Sequence, residues 1–238
     1  MLILVVSIAP ALALALYFYH KDKYEKEPLS LLGKAFFNGV TVTVFIVIVE
    51  FWLLIYIRPI GNTLIKIFLE SFLVAGLIEE GAKFLVFRRL IYDNKEFNEP
   101  YDGIIYAVMI SLGFATLENL FYVLNGAFKW GILGTLGVGA LRAILSVPAH
   151  AFFGVIMGYY LGLAKFCQDD KTRHGLMVRA LVYHVIAHGL FDFFIFSQTI
   201  IGVFYLFALF ILCWSFSLKA IKTQVEKSQF KDSMKNEK

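Results

Sequence analysis

The chain has 238 residues, of which 59% are hydrophobic and 17% are charged, and its mean hydropathy is +0.73. Soluble domains typically carry about 25% charged residues, so this composition excludes an ordinary soluble globular protein. The formal net charge of +4 comes from loops and the C-terminal segment, which indicates membrane topology and not a nucleic-acid-binding surface. Apolar runs near the roughly 20 residues that a helix needs to cross a bilayer predict an all-α, polytopic bundle of transmembrane helices.

Seven apolar stretches are predicted to span the membrane, and eight spans are the alternative. In chain order they are Leu2–Tyr19, Leu32–Ile57, Thr63–Leu90, Tyr101–Leu124, the second half of Trp130–Leu163, Leu176–Phe196 and Ile200–Leu218. No basic residue precedes the first stretch, so we expect a retained span and not a signal peptide. We therefore expect one membrane domain, residues 1–218, followed by a polar tail, residues 219–238.

Basic residues set the predicted orientation of these spans. They concentrate in Lys21–Lys34, Arg88–Lys95, Lys165–Arg179 and Lys219–Lys238. All four segments are predicted to be cytoplasmic, which places the N-terminus outside. With seven spans, Trp130–Leu145 is left over, and its glycines and Arg142 favour a re-entrant or interfacial segment on the outer side. Eight spans would instead place the basic tail outside.

Ionisable side chains inside the predicted spans are the clearest functional signal, because each costs roughly 2.5–3.5 kcal/mol at the centre of a membrane helix. Glu79 and Glu80 are adjacent in an apolar segment, and Lys83 follows one turn later. A buried ion pair accounts for the lysine and one glutamate. The second glutamate has no such explanation, and two carboxylates in one buried site are typical of acid–base chemistry.

Single polar residues in the fourth and fifth spans are weaker signals. Glu118 and Asn119 follow Phe114 in the fourth span, and His150 comes just after Pro148. Taken alone, each of these polar side chains is explained about as well by a bond to backbone or water as by a function. They gain meaning only if the spans that carry them share one interior cavity.

Three polar residues of the sixth span share one helix face. His184, His188 and Asp192 recur every four residues. This spacing lets Asp192 orient His188, as a carboxylate does for a catalytic or metal-bound imidazole. A polar ladder that joins helices is the structural alternative. No glutamate follows His184, so the segment lacks the His-Glu-x-x-His motif of many zinc proteases.

In combination, these motifs resemble those of the PrsW intramembrane proteases, a branch of the CAAX-protease and bacteriocin-processing superfamily. The matching order is Glu79-Glu80-x-x-Lys83, Phe114-x-x-x-Glu118, His150 and His188-x-x-x-Asp192, within roughly Glu70 to Phe194. In the wider superfamily a histidine often stands at the position of Glu118. The resemblance implies a protease that cleaves a single-span membrane protein in the bacterial plasma membrane. The substrate it implies is an anti-sigma factor, cleaved as part of a stress response.

The resemblance and the residue chemistry together nominate the site residues. Glu79, Glu80 and His188 are expected to be catalytic. The expected supporting residues are Lys83, Glu118, His150, Asp192, Asn119 and His184. A metal-free mechanism, in which a glutamate activates water, is slightly favoured.

The alternative mechanism uses zinc. The expected zinc ligands are Glu80 or Glu79 together with Glu118, His150 and His188. A different class of function, a proton-coupled or cation transporter, would use the same glutamates and histidines. The sequence shows none of the duplicated halves with broken helices that are typical of transporters.

Overall fold

The computed structural model describes residues 1–231, which form helices and loops without a strand. The α-helices are α1 (Leu2–Lys21), α2 (Leu29–Ile57), α3 (Thr63–Phe68), α4 (Glu80–Leu90), α5 (Pro100–Leu141), α6 (Val147–Lys165), α7 (Asp170–Ser197) and α8 (Ile200–Glu226). Within this part of the chain, a first π segment, Leu69–Glu79, joins α3 to α4, and a second, Arg142–Ser146, joins α5 to α6. The all-α bundle expected from the sequence is confirmed.

Much of the outer surface is apolar, as a membrane protein requires. Large side chains such as Phe45, Trp52 and Phe204 are more than half exposed. Among residues 1–231, five helical stretches are long and apolar enough to cross a bilayer: Leu2–Lys21, Leu29–Ile57, Pro100–Lys165, Asp170–Ser197 and Ile200–Glu226. The third of these stretches contains α5, the second π segment and α6. The predicted span Thr63–Leu90 is a sixth helical rod, built from α3, the first π segment and α4.

Helix α5 reverses its direction at Trp130–Gly131. Gly131 has a φ of +59°, a conformation that residues with a side chain rarely adopt, so a glycine is required at this corner. Beyond the corner the chain runs back along itself, and the backbones of Gly126 and Gly134 touch. Residues 100–129 and 132–165 are therefore the two arms of an antiparallel helical hairpin.

The predicted re-entrant segment Trp130–Leu145 differs from what the structure shows. Residues 132–146 are helical and continue through the second π segment into α6 without a turn. Far from the corner, Gly103 still lies against Gly158, so the arms stay in contact along their length. The glycines and Arg142 favour a re-entrant or interfacial segment in the sequence. In the structure, Gly134 and Gly139 instead allow neighbouring helices to pack closely.

This hairpin forms the centre of the bundle. In its most apolar stretch 72% of the residues are buried, against 17–33% in the other four candidate spans. Helices α1 and α2 pack on the first arm, and α7 and α8 pack on α6. The first π segment packs mainly on α7. The hairpin thus holds its own polar residues next to those of α4 and α7.

Helix α8 continues beyond Leu218, where the sequence predicts that the apolar domain ends. Ala220 and Ile221 are buried, and Ser228, just after the helix, donates a hydrogen bond to Glu99. The first part of the predicted tail is therefore packed against the bundle. Residues 232–238, the rest of that tail, lie outside the described residues.

Buried carboxyl groups gather where α1 ends and where α2 and α5 begin, in loops outside the predicted spans. Asp22, Glu27 and Glu99 are at most 3% exposed. Burial raises the pKa of Glu27 and Glu99 from 4.5 to about 7, and that of Asp22 from 3.8 to about 6. A hydrogen bond from the Tyr106 hydroxyl to Glu27 opposes this rise in pKa without cancelling it.

These carboxyl groups predict that stability falls as the pH rises. Below the ordinary glutamate pKa of 4.5 these groups are protonated in both the folded and the unfolded protein, so their burial costs little stability. Above that pH the unfolded protein loses these protons while the folded protein keeps them. The free energy of unfolding therefore falls until the pH has passed about 7, where the groups ionise in the folded state too. We expect the thermal unfolding midpoint of the detergent-purified protein to decrease between about pH 5 and about pH 8, and Glu27→Gln to reduce that decrease. Glu226→Gln, at an exposed position on α8, is the control, and an equal effect of both substitutions would contradict this prediction.

The crossing of α2 and α5 predicts a second stability effect. A Cβ atom on Gly39 would lie 2.1 Å from the backbone oxygen of Ile110, so Gly39→Ala must separate the helices. We expect Gly39→Ala to destabilise the protein by about 1–3 kcal/mol and to lower the unfolding midpoint by about 2–4 °C per kcal/mol. Gly33→Ala is the matched control on the same helix, because nothing lies within 4 Å of its added Cβ. Equal stability of the two variants would refute the prediction.

Candidate active site

The two adjacent glutamates lie where the first π segment meets α4. Glu79 ends the π segment, Glu80 begins α4, and both are buried together with Lys83. The Lys83 Nζ atom lies 2.6 Å from Glu80 Oε1, 3.4 Å from Glu79 Oε2 and 3.6 Å from the ring centroid of Phe114. The lysine therefore pairs with both carboxylates. It is closer to Glu80 than to Glu79.

Helix α7 supplies two histidines that approach Glu80. The Nδ1 atom of His188 lies 2.8 Å from Glu80 Oε1 and 3.9 Å from Glu79 Oε2. The Nε2 atom of His184 lies 3.2 Å from the backbone oxygen of Glu80 and 3.5 Å from its Oε2. Glu80 is thus fixed by α7 on one side and by Lys83 on the other.

The imidazole of His188 is enclosed by rings and by one carboxylate. Phe153 stacks on it with centroids 4.8 Å apart, and the ring of His150 meets it edge-on at 5.1 Å. The Asp192 Oδ2 atom is 3.7 Å from His188 Nε2, which is longer than a hydrogen bond. At this distance Asp192 acts on His188 through its charge.

Lys83, Glu80 and His188 thus form a first ionic chain. A second ionic chain joins α5, the second π segment and α6. Arg142 donates from Nη2 to Glu118 Oε2 at 2.6 Å and from Nε to Asn119 Oδ1 at 2.9 Å. The same Glu118 oxygen lies 2.9 Å from Nε2 of His150. Because a carboxylate accepts, we assign the proton of His150 to Nε2. Its Nδ1 atom is buried and has no hydrogen-bond partner among residues 1–231.

The two ionic chains meet at a group of four buried side chains. One oxygen or nitrogen from each of Glu79, Glu80, His150 and His188 lies within 4.8 Å of the others. Glu118, which the sequence proposes as a zinc ligand, is not in this group and instead bonds the far side of His150. Polar residues from the first π segment, α4, α6 and α7 are therefore brought together at one point.

The donor set of this group fits a divalent metal such as zinc. Carboxylates and imidazoles are common zinc ligands. In the described part of the chain, His150 Nδ1 and Glu80 Oε2 are buried without a hydrogen-bond partner, which is unusual for polar atoms unless a ligand takes them up. Glu118 behind His150 is the kind of carboxylate that metal-binding histidines commonly contact.

An open cavity of about 300 Å³ adjoins the group. It lies between α2, the first π segment, α5 and α7. The ionisable side chains on its wall include Glu50, Glu79, Glu118, Tyr122 and Asp192. Of the glutamate pair, Glu79 is thus the member that borders the cavity, where water and a substrate have access.

Two residues of the site, Glu50 and Arg142, are absent from the set predicted from the sequence. Glu50 on α2 lines the same cavity as Glu79. The sequence contained the signal for both, since each is an ionisable residue in an apolar stretch. Glu50 lies about two turns inside its predicted span and stands out there as Glu79 and Glu80 do, whereas Arg142 lies in the segment predicted to be re-entrant or interfacial.

The comparison with known proteins decides between the functional classes. A family model described as PrsW family intramembrane metalloprotease matches residues 27–216. The chain belongs to this family. It is 36% identical to Protease PrsW of Bacillus subtilis (strain 168) over 216 residues, which cover 91% of this chain and 92% of that protein.

Two further relatives agree with this assignment. Protease PrsW of Geobacillus kaustophilus (strain HTA426) is 37% identical over 217 residues, 91% of this chain and 89% of that protein. Protease PrsW of Clostridioides difficile (strain 630) is 33% identical over 223 residues, 94% of this chain and 91% of that protein. No solved structure matches the chain.

Membership of the PrsW family confirms the resemblance seen in the motifs and makes the chain a peptidase. The matched region contains every residue of the two ionic chains. The family is described as one of metalloproteases, which favours a metal-dependent mechanism over the metal-free mechanism that the sequence slightly favours.

Proposed function

We propose that Glu79, Glu80, His150 and His188 form the active site at which this PrsW-family peptidase hydrolyses a peptide bond of a membrane protein. The observation that carries the proposal is the approach of these four buried side chains to within 4.8 Å of one another beside an open cavity. Burial of so many ionisable groups at one point is costly. Catalysis accounts for such a cluster better than packing does.

Glu79 is the proposed general base. Its carboxylate borders the cavity, whereas Glu80 Oε1 is already bonded to Lys83 and His188. Glu79 takes a proton from the attacking water as the water oxygen bonds to the scissile carbonyl carbon. It then returns this proton to the amide nitrogen as the carbon–nitrogen bond breaks. The two glutamates thereby receive different roles, which the sequence alone does not distinguish.

Glu80, His150 and His188 are the proposed holders of a zinc ion, with Glu79 next to them. A bound zinc ion supplies a water whose pKa is lowered to about 7. Lys83 balances the negative charge of Glu80, and the carboxyl group of Asp192 lies beside the Nε2 atom of His188. His184 fixes the start of α4 by its contact with the backbone oxygen of Glu80.

The proposed substrate is a single-span membrane protein, in particular an anti-sigma factor whose cleavage begins a stress response. The burial of the site inside a bundle with an apolar surface supports a membrane-embedded substrate. The proposed setting is the plasma membrane of a bacterium, with the tail from residue 219 in the cytoplasm. The basic segments next to the helices support this orientation.

Removal of the reacting groups should abolish cleavage. We expect Glu79→Gln, Glu80→Gln and His188→Ala each to lower the cleavage of a co-expressed single-span substrate by at least about 100-fold, because each removes an acid–base or ligand group. Cleavage is measured by immunoblotting at equal amounts of membrane-inserted enzyme. Glu96→Gln, in the loop before α5, should cleave like the wild type. Wild-type cleavage by the Glu79→Gln, Glu80→Gln double variant would refute the proposed site.

Metal removal tests the zinc part of the proposal separately. Treatment of the purified peptidase with a strong chelator should abolish cleavage, and zinc should restore it, because a metal held by Glu80, His150 and His188 would supply the activated water. Elemental analysis of the purified protein should find about one zinc per chain. Full activity in chelator, together with a protein free of metal, would establish the metal-free glutamate mechanism instead.

A further inference from the structure

A groove of about 300 Å³ lies between α1 and α8 on the outside of the bundle, with α6 as its third side. It shares no residue with the cavity beside the candidate active site. Tyr17 lies in the α1 wall, and Trp214 and Leu218 lie in the α8 wall. Because these three side chains are each more than a third exposed, the groove is open to the surrounding lipid.

A lysine stands at the end of each wall of this groove. On α1, the Nζ atom of Lys21 lies 5.3 Å from the ring centroid of Tyr17. On α8, Trp214, Leu218 and Lys222 follow one another at intervals of four residues, so the lysine continues the row of side chains that forms the wall. The groove is therefore apolar along its length and positively charged at one end.

Both lysines are available to bind an anion. Lys21 and Lys222 are exposed, and within residues 1–231 neither forms an ion pair with a carboxylate. They begin two of the basic segments that the sequence predicts to be cytoplasmic, Lys21–Lys34 and Lys219–Lys238. The charged end of the groove thus lies at the level of the lipid headgroups on the proposed cytoplasmic side.

Ser217 places a hydrogen-bonding group between the lysines and the apolar part of the groove. It lines the groove, is 3% exposed, and its Oγ atom has no hydrogen-bond partner within residues 1–231. Buried hydroxyl groups normally have such a partner. Ser217 precedes Lys222 by five residues, which is about 7 Å along the helix axis. A ligand that extends inwards from the lysines therefore brings an acceptor to this hydroxyl group if it has one at that depth.

We propose that the groove binds a phospholipid with a negatively charged headgroup, with the phosphate between Lys21 and Lys222 and an acyl chain beside Trp214. The ester oxygens of a phospholipid lie between its phosphate and its chains, so one of them accepts the hydrogen bond from Ser217. Basic pockets between transmembrane helices on the cytoplasmic side are a known type of site for such headgroups. The proposed lipid site does not depend on the proposed peptidase mechanism.

Trp214 is a reporter for the acyl chain because it lies in the wall of the groove. The full-length protein is prepared with Trp52→Phe and Trp130→Phe, so that Trp214 is its single tryptophan. It is reconstituted in phosphatidylcholine vesicles that contain increasing fractions of a lipid with brominated chains, which quench tryptophan fluorescence on contact. The brominated lipid is either phosphatidylglycerol or phosphatidylcholine, and the two differ only in the headgroup.

Brominated phosphatidylglycerol should quench Trp214 half-maximally at an at least about fivefold lower mole fraction than brominated phosphatidylcholine, because two lysines act on its headgroup. The double substitution Lys21→Gln, Lys222→Gln should abolish this preference. Lys95→Gln, Lys171→Gln removes two exposed lysines from other loops and should leave the preference unchanged. A protein that retains only Trp52, exposed on α2, should be quenched equally by both lipids.

Equal quenching of Trp214 by the two lipids would overturn the proposal, and so would a preference that survives Lys21→Gln, Lys222→Gln. The same preference at Trp52 would show general attraction of anionic lipid to a basic protein and no site. If neither lipid quenches Trp214, a second copy of the chain or another segment fills the groove, and the proposal fails. Loss of the preference in inorganic phosphate, but not in potassium chloride of equal ionic strength, would assign the lysines to free phosphate instead.

Discussion

The bilayer gives no partner to a charged side chain, and this constraint determines how the helices of this protein meet. Lys83 and Arg142 are buried cations, and each is placed against carboxylates from its own helix or from the neighbouring arm. Glu79, Glu80 and Glu118 each pair with one of these cations. Helices that carry such residues must therefore converge, because each charge is costly in any other arrangement.

The convergence produces two ionic chains with the same order of groups. In one, Lys83 contacts Glu80 and Glu80 contacts His188; in the other, Arg142 contacts Glu118 and Glu118 contacts His150. Each chain runs from a cation through a carboxylate to an imidazole. The two imidazoles meet with centroids 5.1 Å apart. The site is built where these two chains end, on helices that are otherwise apolar.

The sequence predicted the helical bundle and most of the polar residues because both follow from local signals. Apolar runs predict spans, and an ionisable residue inside a run stands out without knowledge of the fold. The role of Glu118 could not be predicted in this way. Its distance from Glu79 and His150 depends on how three helices cross. The sequence predicts Glu118 as a zinc ligand, and in the structure it contacts His150 from outside the group of four buried side chains.

The predictions that differ from the structure concern the segment Trp130–Leu145 and the end of α8, where local geometry is not encoded by composition. A π segment looks like any apolar helix in sequence, so nothing indicates that Arg142 and His150 both reach the same oxygen of Glu118. Glycines occur both in loops and in close helix contacts. Those of Trp130–Leu145 therefore favour an interfacial segment in the sequence, whereas the structure has a helix there. Helix α8 likewise extends past its apolar run because Ala220 and Ile221 continue to pack, although charged residues surround them.

The hairpin of residues 100–165 has a consequence for how the chain enters the membrane. Arg142 and Glu118 lie on opposite arms and pair across it, so the hairpin carries its own counter-charge. Each arm alone would bring an uncompensated charge into hydrocarbon. Both arms together are nearly neutral there and already share glycine contacts along their length. The two arms therefore satisfy the charges of Glu118 and Arg142 between themselves, without a contribution from any other helix.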